Sequence, residues 1–173
     1  MTTSDREQAL AVVTRVVTDA DLEHEGGARD GELVVTLPGD KKLKTVVSLV
    51  VGDNALSVSA FVIRNADENH EEFYRYLLRR NLRMPLLAYS IDASGDVYVG
   101  GRIPLRAVTD ELVDQVLGVV LEAADAPFNE LLLLGFRSSM QKEWDWRVSR
   151  GESLRNLEAF RAVLERTDGP AEA

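Results

Sequence analysis

The chain has no cysteine and only two histidines in 173 residues. Without cysteine there can be no disulfide, thiolate metal site or cysteine nucleophile. His24 lies in Glu23-His24-Glu25, and His70 precedes Glu71-Glu72. Adjacent helical side chains diverge and no H-E-x-x-H spacing occurs, so His70 with Glu71 reads as a solvated helix start rather than a metal site. No serine has a G-x-S-x-G context for a hydrolase triad. Gly100-Gly101 sits inside a strand pattern with no helix following, so it reads as a bulge or a close backbone approach rather than a phosphate cradle. No catalytic constellation and no cofactor motif survives.

Long apolar runs are also missing. The longest stretches are Val46–Val51, Val116–Leu121 and Leu131–Phe136, against the roughly 20 residues a spanning helix needs. The polar start, Met1 to Gln8, lacks the apolar core of a signal peptide. These absences set the expectation of a cytoplasmic protein with no membrane partner. Basic charge is in deficit: 20 Lys and Arg against 29 Asp and Glu, a formal net charge of −9. Such a balance argues against a nucleic-acid partner, whose phosphates need cations to displace their counterions. The deficit is uneven. Residues 1–32 carry three basic and eight acidic groups, and 109–136 carry six acids and no base. Residues 33–108 hold ten basic against eight acidic groups.

What is present reads as one domain. Ser4 to Glu7 has a capping-box pattern, and Leu10, Val13, Val16, Val17 and Ala20 follow at helical spacing, predicting a helix over 4–19. Residues 22–32 are polar and broken by Gly26-Gly27. Glu32–Leu37, Leu43–Val51 and Ala55–Ile63 read as three strands joined by short turns, an antiparallel meander. Alternation puts Leu56, Val58, Ala60 and Val62 on the core face of the third. Residues 67–81 predict a helix with Asp67 as N-cap and Asn81 as a left-handed C-cap, stopped by Pro85. Leu86–Ile91 and Val97–Ile103 predict a hairpin around Asp92 to Asp96. Thr109 caps the next helix. Pro127 opens another, expected to continue through Trp146, and Ser153 caps a last one after Gly151. The fold class is α+β: a twisted antiparallel sheet of about five strands packed with helices on one side, because strand and helix runs are segregated. Residues 1–136 form the main domain in this reading, 137–167 a C-terminal helical extension packed on it, and 168–173 a flexible tail.

Glu72-Phe73-Tyr74-Arg75-Tyr76-Leu77-Leu78, Asn81, Met84-Pro85-Leu86-Leu87-Ala88-Tyr89, Asp96-Val97-Tyr98 and Arg102-Ile103-Pro104-Leu105 together resemble the YbjN-domain family. The order of helix, N-x-x-x-P, strand, hairpin and I-P-L carries the resemblance. The Trp144-Asp145-Trp146-Arg147 region is similar to C-terminal extensions of actinobacterial members. The resemblance implies a fold like that of type III secretion chaperones, often dimeric, and a role in sensory-transduction or stress regulation. It implies no catalytic residues.

Two groups of residues are candidates for binding. Arg75, Arg79 and Arg83 recur at i, i+4 and i+8 with Arg80 alongside, the densest basic cluster in the chain. It either receives an acidic peptide or anion, or is a solvated face paired to Glu71 and Glu72. Trp144 and Trp146 diverge by roughly 200° on a helix, so they cannot both enter one small core, and one of them is a candidate interface residue. The expected function is a non-enzymatic, protein- or peptide-binding regulatory module, a homodimer of chaperone-like fold. The alternative is a small-molecule or anion sensor, or a small enzyme, using Arg79, Arg83 and Arg102.

Overall fold

The computed structural model describes residues 3–165, with side chains from Asp5 onward. The Ser4 side chain of the expected capping box and the expected 168–173 tail lie outside what is described. Helix α1 (Thr3–Asp19) leads into strands β1 (Glu23–Gly26), β2 (Glu32–Pro38), β3 (Lys44–Val51) and β4 (Ala55–Ile63). Helix α2 (His70–Asn81) precedes β5 (Ala88–Ile91) and β6 (Val97–Pro104). The chain ends in α3 (Asp110–Asp125), α4 (Phe128–Gly135), α5 (Arg137–Arg150), a 3-10 turn at Arg155–Phe160 and α6 (Arg161–Leu164).

The six strands form one sheet in the order β1-β2-β3-β4-β6-β5, antiparallel throughout. Period-two alternation gives the sheet two unlike faces. Val35, Val47, Leu49, Leu56, Val58, Val62, Val97 and Val99 are buried on the inner face. Onto that face pack Val13 and Val17 of α1, Phe73 of α2, and Val113, Val116 and Val120 of α3, all fully buried. Each such side chain contributes about 1.5–3 kcal/mol by leaving water. The four β-branched valines of α1 lower its intrinsic propensity. Val12, Val13, Val16 and Val17 nevertheless share one buried stripe, so packing decides the helix. Arg15 of α1 ion-pairs with Asp110 at the start of α3 and ties the two together.

Several boundaries differ from the sequence expectation. The sheet has six strands rather than five: the exposed Glu23–Gly26 segment pairs with Leu33 to Thr36. Its side chains carry no strand signal, and the backbone ladder alone recruits it. Helix α2 starts at His70 with Asn69 left-handed at φ 55° as its N-cap. Asp67 instead pairs with Arg64. Asn81 does not adopt the left-handed cap. Its side-chain oxygen accepts from Tyr89 N at 2.7 Å, and its amide donates to Tyr89 O at 3.3 Å. This clamp returns the chain from α2 to β5. Strand β5 begins only at Ala88, because Leu86 takes a left-handed φ of 65°.

The helix expected to run through Trp146 breaks at Phe136. The Gly135 carbonyl accepts from the amides of Asp67 and Glu68 at 2.9 and 3.2 Å. The start of α5 is capped by Glu68, which accepts from Ser138 N at 2.6 Å and Ser138 Oγ at 2.8 Å. Both partners are about 70 residues away along the chain, so no local pattern announces the break. Beyond it, Met140, Trp144, Leu157, Phe160 and Leu164 form a second small core, with Leu132 and Leu133 of α4 packed against it. The last helix is mainly the 3-10 turn, and Ser153 Oγ accepts from Arg155 N at 3.3 Å.

Candidate functional site: a groove between helices α2, α3 and α4

Helix α2 buries Phe73 and Leu77, which turns Tyr76, Arg79 and Arg80 toward the side. Helix α3 is fixed by its Thr109 cap, whose Oγ accepts from Leu112 N at 3.2 Å. It buries a stripe from Val113 to Ala124 and leaves Gln115, Gly118 and Glu122 exposed. Helix α4 brings Glu130 and Leu134. Between the three helices lies a groove of about 900 Å³. Tyr76, Met84, Gly118, Val119, Ala123 and Leu134 give it an apolar floor.

The rim carries charge of both signs, and most of it is spoken for. Tyr76 donates to Glu130 Oε2 at 2.9 Å. Burial and this bond push its hydroxyl up to about 12. Arg80 lies 3.9 Å from Glu122 and 5.8 Å from the Tyr76 ring centre. Tyr89 below is buried, its pKa raised by that burial, and donates to Ala123 O at 2.7 Å. Glu72 is shared with Arg75 at 3.4 Å. Arg79 and Arg83, one turn apart on the rim, have no ion-pair partner among the described residues. Beside them Leu78 and Leu82 stand 65% and 87% exposed. The free valence of this surface is thus apolar area flanked by two cations.

Gly118 is the unusual residue of the floor. A Cβ there would meet nothing within 4 Å. Gly135 contrasts with it: a Cβ there would come within 2.8 Å of Ala66 and 2.9 Å of the Phe73 ring. Gly135 therefore serves packing inside the chain. Gly118 does not, although mid-helix glycine costs about 1 kcal/mol against alanine.

Of the residues singled out from sequence, Arg79 and Arg83 come together on the groove. Arg75 faces outward and pairs with Glu71 and Glu72. Arg102 is elsewhere. It sits on β6 opposite Ser57, exposed on the outer face of the sheet. Alternation separates it from the inward Ile103, so an anion site of Arg79, Arg83 and Arg102 does not assemble. Trp144 is 3% exposed in the second core and Trp146 is 45% exposed, as their angular separation requires. His24 lies on the edge strand β1 and His70 opens α2. Among the described residues no group of three His, Cys, Asp or Glu side chains could hold a metal ion. Gly100 is held by a close approach, since a Cβ there would lie 2.3 Å from Val58 O. The groove residues of α3 and α4 escaped the sequence reading. Gly118, interrupting an otherwise apolar helix, was the one available signal.

The antiparallel sheet with helices on one face has the fold of type III secretion chaperones. A crystal structure of the ExsC–ExsE complex superposes with a TM-score of 0.53 at 16% identity, covering 76% of this chain and 97% of that one. The structure of the HopA1–SchA chaperone–effector complex gives 0.50 at 12% identity, covering 70% and 93%. At these identities the likeness is one of fold. The chain belongs to the YbjN family, described as "Putative bacterial sensory transduction regulator", whose model matches residues 9–133. It is also 53% identical over 161 residues to "Uncharacterized protein ML2442" of Mycobacterium leprae, covering 91% of this chain and 88% of that protein.

Proposed function

We propose that this protein is a non-enzymatic binding module that holds a protein or peptide partner in the α2–α3–α4 groove. It works in the cytoplasm, as a homodimer, in sensory or stress regulation. The observation that carries the reading is the open floor at Gly118 beneath the unpaired Arg79 and Arg83. A bare glycine on a helix surface permits close approach of another backbone or ring, and nothing among the described residues makes that approach. The flanking cations suit a partner segment that pairs apolar anchors with acidic residues. That neighbours of the same fold were solved as a complex and as a chaperone with its effector supports a protein partner.

Affinity capture with the wild type beside Gly118→Leu and Arg83→Glu tests this. Proteins enriched by the wild type and lost from both variants are the expected result. Identical capture profiles, with both variants folded, would refute the groove as the site. Stabilisation by a nucleotide, phosphate or small acid in a thermal-shift panel, with no protein captured, would favour a small-molecule sensor instead. A ligand at 100 times its Kd adds about 2.7 kcal/mol.

A further inference from the structure

Away from the groove, a second concavity opens on the seam between the two cores. The end of β4, helices α4 and α5 and the 3-10 turn wall a cleft of about 440 Å³, within the range that small-molecule sites occupy. Buried Phe136, Met140 and Leu157 form its base, and Phe61, Phe128 and Leu132 its flanks. Leu132 packs against both cores. Four polar side chains reach the cleft: Lys42, Arg64, Ser139 and Glu143. Three of them have partners. Arg64 is paired with Asp67 at 2.6 and 2.9 Å and lies 4.3 Å from the Phe136 ring centre. Ser139 donates to Asp67 at 2.8 Å, and Glu143 accepts from Arg147 at 2.5 Å.

Lys42 differs. It comes from the turn before β3 and is half-buried. Its ammonium donates to the Phe61 and Val62 carbonyls at 2.7 and 2.9 Å, where the β4–β6 ladder shifts register. It stands 5.2 and 6.0 Å from the Phe61 and Phe128 ring centres. An ammonium has three protons to donate, so the third is left without an acceptor among the described residues. Nor does any carboxylate among them form an ion pair with it. Asp125 instead accepts from the Lys41 and Lys42 amides at 2.9 and 2.8 Å. Burial holds the Lys42 ammonium below its ordinary pKa, with Asp125 opposing the shift.

We propose that this cleft binds an apolar monocarboxylic acid, its carboxylate accepting from Lys42 Nζ and its hydrocarbon body lying against Phe128, Leu132, Met140 and Leu157. A carboxylate supplies what the ammonium lacks, an ion-pair partner and an acceptor for its third proton. The hydrocarbon body covers the apolar flanks, each buried methylene tightening binding about fourfold. A dicarboxylate or phosphate fits these walls poorly, because its second charge would be buried with no free cation to meet it. The site is independent of the α2–α3–α4 groove, with which it shares no lining residue.

Titration calorimetry compares octanoate with octan-1-ol, which has the same chain and no charge. Both go into the wild type, Lys42→Met and Arg83→Glu. The wild type should bind octanoate at least tenfold more tightly than octan-1-ol. Lys42→Met should lose that preference and still take octan-1-ol, which shows the cleft intact. Arg83→Glu should match the wild type, and shortening octanoate to butanoate should weaken binding tenfold or more. A footprint on the wild type keeps the test open if Lys42→Met fails to fold. Octanoate should protect Lys42 from acetylation, read by mass spectrometry, and leave Lys41, Lys44 and Lys142 unchanged. No octanoate binding by the wild type at millimolar concentration, equal binding of the two ligands, or a preference that survives Lys42→Met overturns the site. So does octanoate lost from Arg83→Glu and kept by Lys42→Met, which would put the acid in the groove. Partner capture is read separately, so failure of one site leaves the other standing.

Discussion

Gly118 supplies the sharpest perturbation. It lies in the interior of α3, exposed, with no heavy atom within 4 Å of a built Cβ. Gly118→Ala therefore adds a methyl group into open space and removes the backbone entropy that glycine loses on folding. The expected gain is about 0.8–1 kcal/mol. For a chain of this length each kcal/mol moves the Tm by about 2–4 °C, so the midpoint should rise by about 2–4 °C. Urea titration gives the free energy independently, with an unchanged slope if the native surface is unchanged. Gly118→Leu should retain most of that gain, because leucine is nearly as good a helix former as alanine. It also fills the groove floor. Stability should therefore rise while partner capture falls, two readouts moving in opposite directions. Loss of stability in Gly118→Ala would show that the floor is occupied within the folded chain, and the reasoning would fail. A stabilised Gly118→Leu that still captures every wild-type partner would sink the groove while sparing the helix argument.

Other outcomes follow from particular contacts. Gly135→Ala should cost about 1–3 kcal/mol, because the added Cβ meets Ala66 and the Phe73 ring; an unchanged urea midpoint would contradict the close packing. Trp144→Phe should remove the blue-shifted, quencher-protected part of the emission, and Trp146→Phe the red-shifted, quenchable part; the reverse assignment would mean that α5 is rotated. Trp144→Ala should destabilise by about 3–5 kcal/mol, whereas Trp146→Ala should stay within about 0.5 kcal/mol. Asp67 accepts from Arg64 and Ser139, bonds that lower its carboxyl to about 2 from an ordinary 3.8. Since the folded value lies below the unfolded one, its contribution is present above about pH 4 and is lost as pH falls through 2. Urea midpoints taken between pH 5 and pH 2 should fall less steeply for Asp67→Asn than for the wild type, and parallel curves would refute the assignment.

The elements with strong periodicity were legible. The alternation of Leu56, Val58, Ala60 and Val62 sets one face of β4 against the core, and these four are buried. The stripes of α1 and α3 likewise name their own buried sides. What escaped depends on partners remote along the chain. Strand β1 has four exposed residues and exists through its ladder to β2. The end of α4 is decided by amides at 67 and 68, and the start of α5 by Glu68. The arginines show the same division at the site. Their spacing on α2 is a local fact, visible in the residue order. That Arg79 and Arg83 share a groove with Gly118 and Glu122, while Arg102 turns to the opposite side of the sheet, is not. By itself the sequence determined which side of each helix and strand is apolar, because that follows from the fixed periods of 3.6 and 2. Only the tertiary structure decided which of those elements meet, and therefore which charges are paired and which are left free on the groove rim.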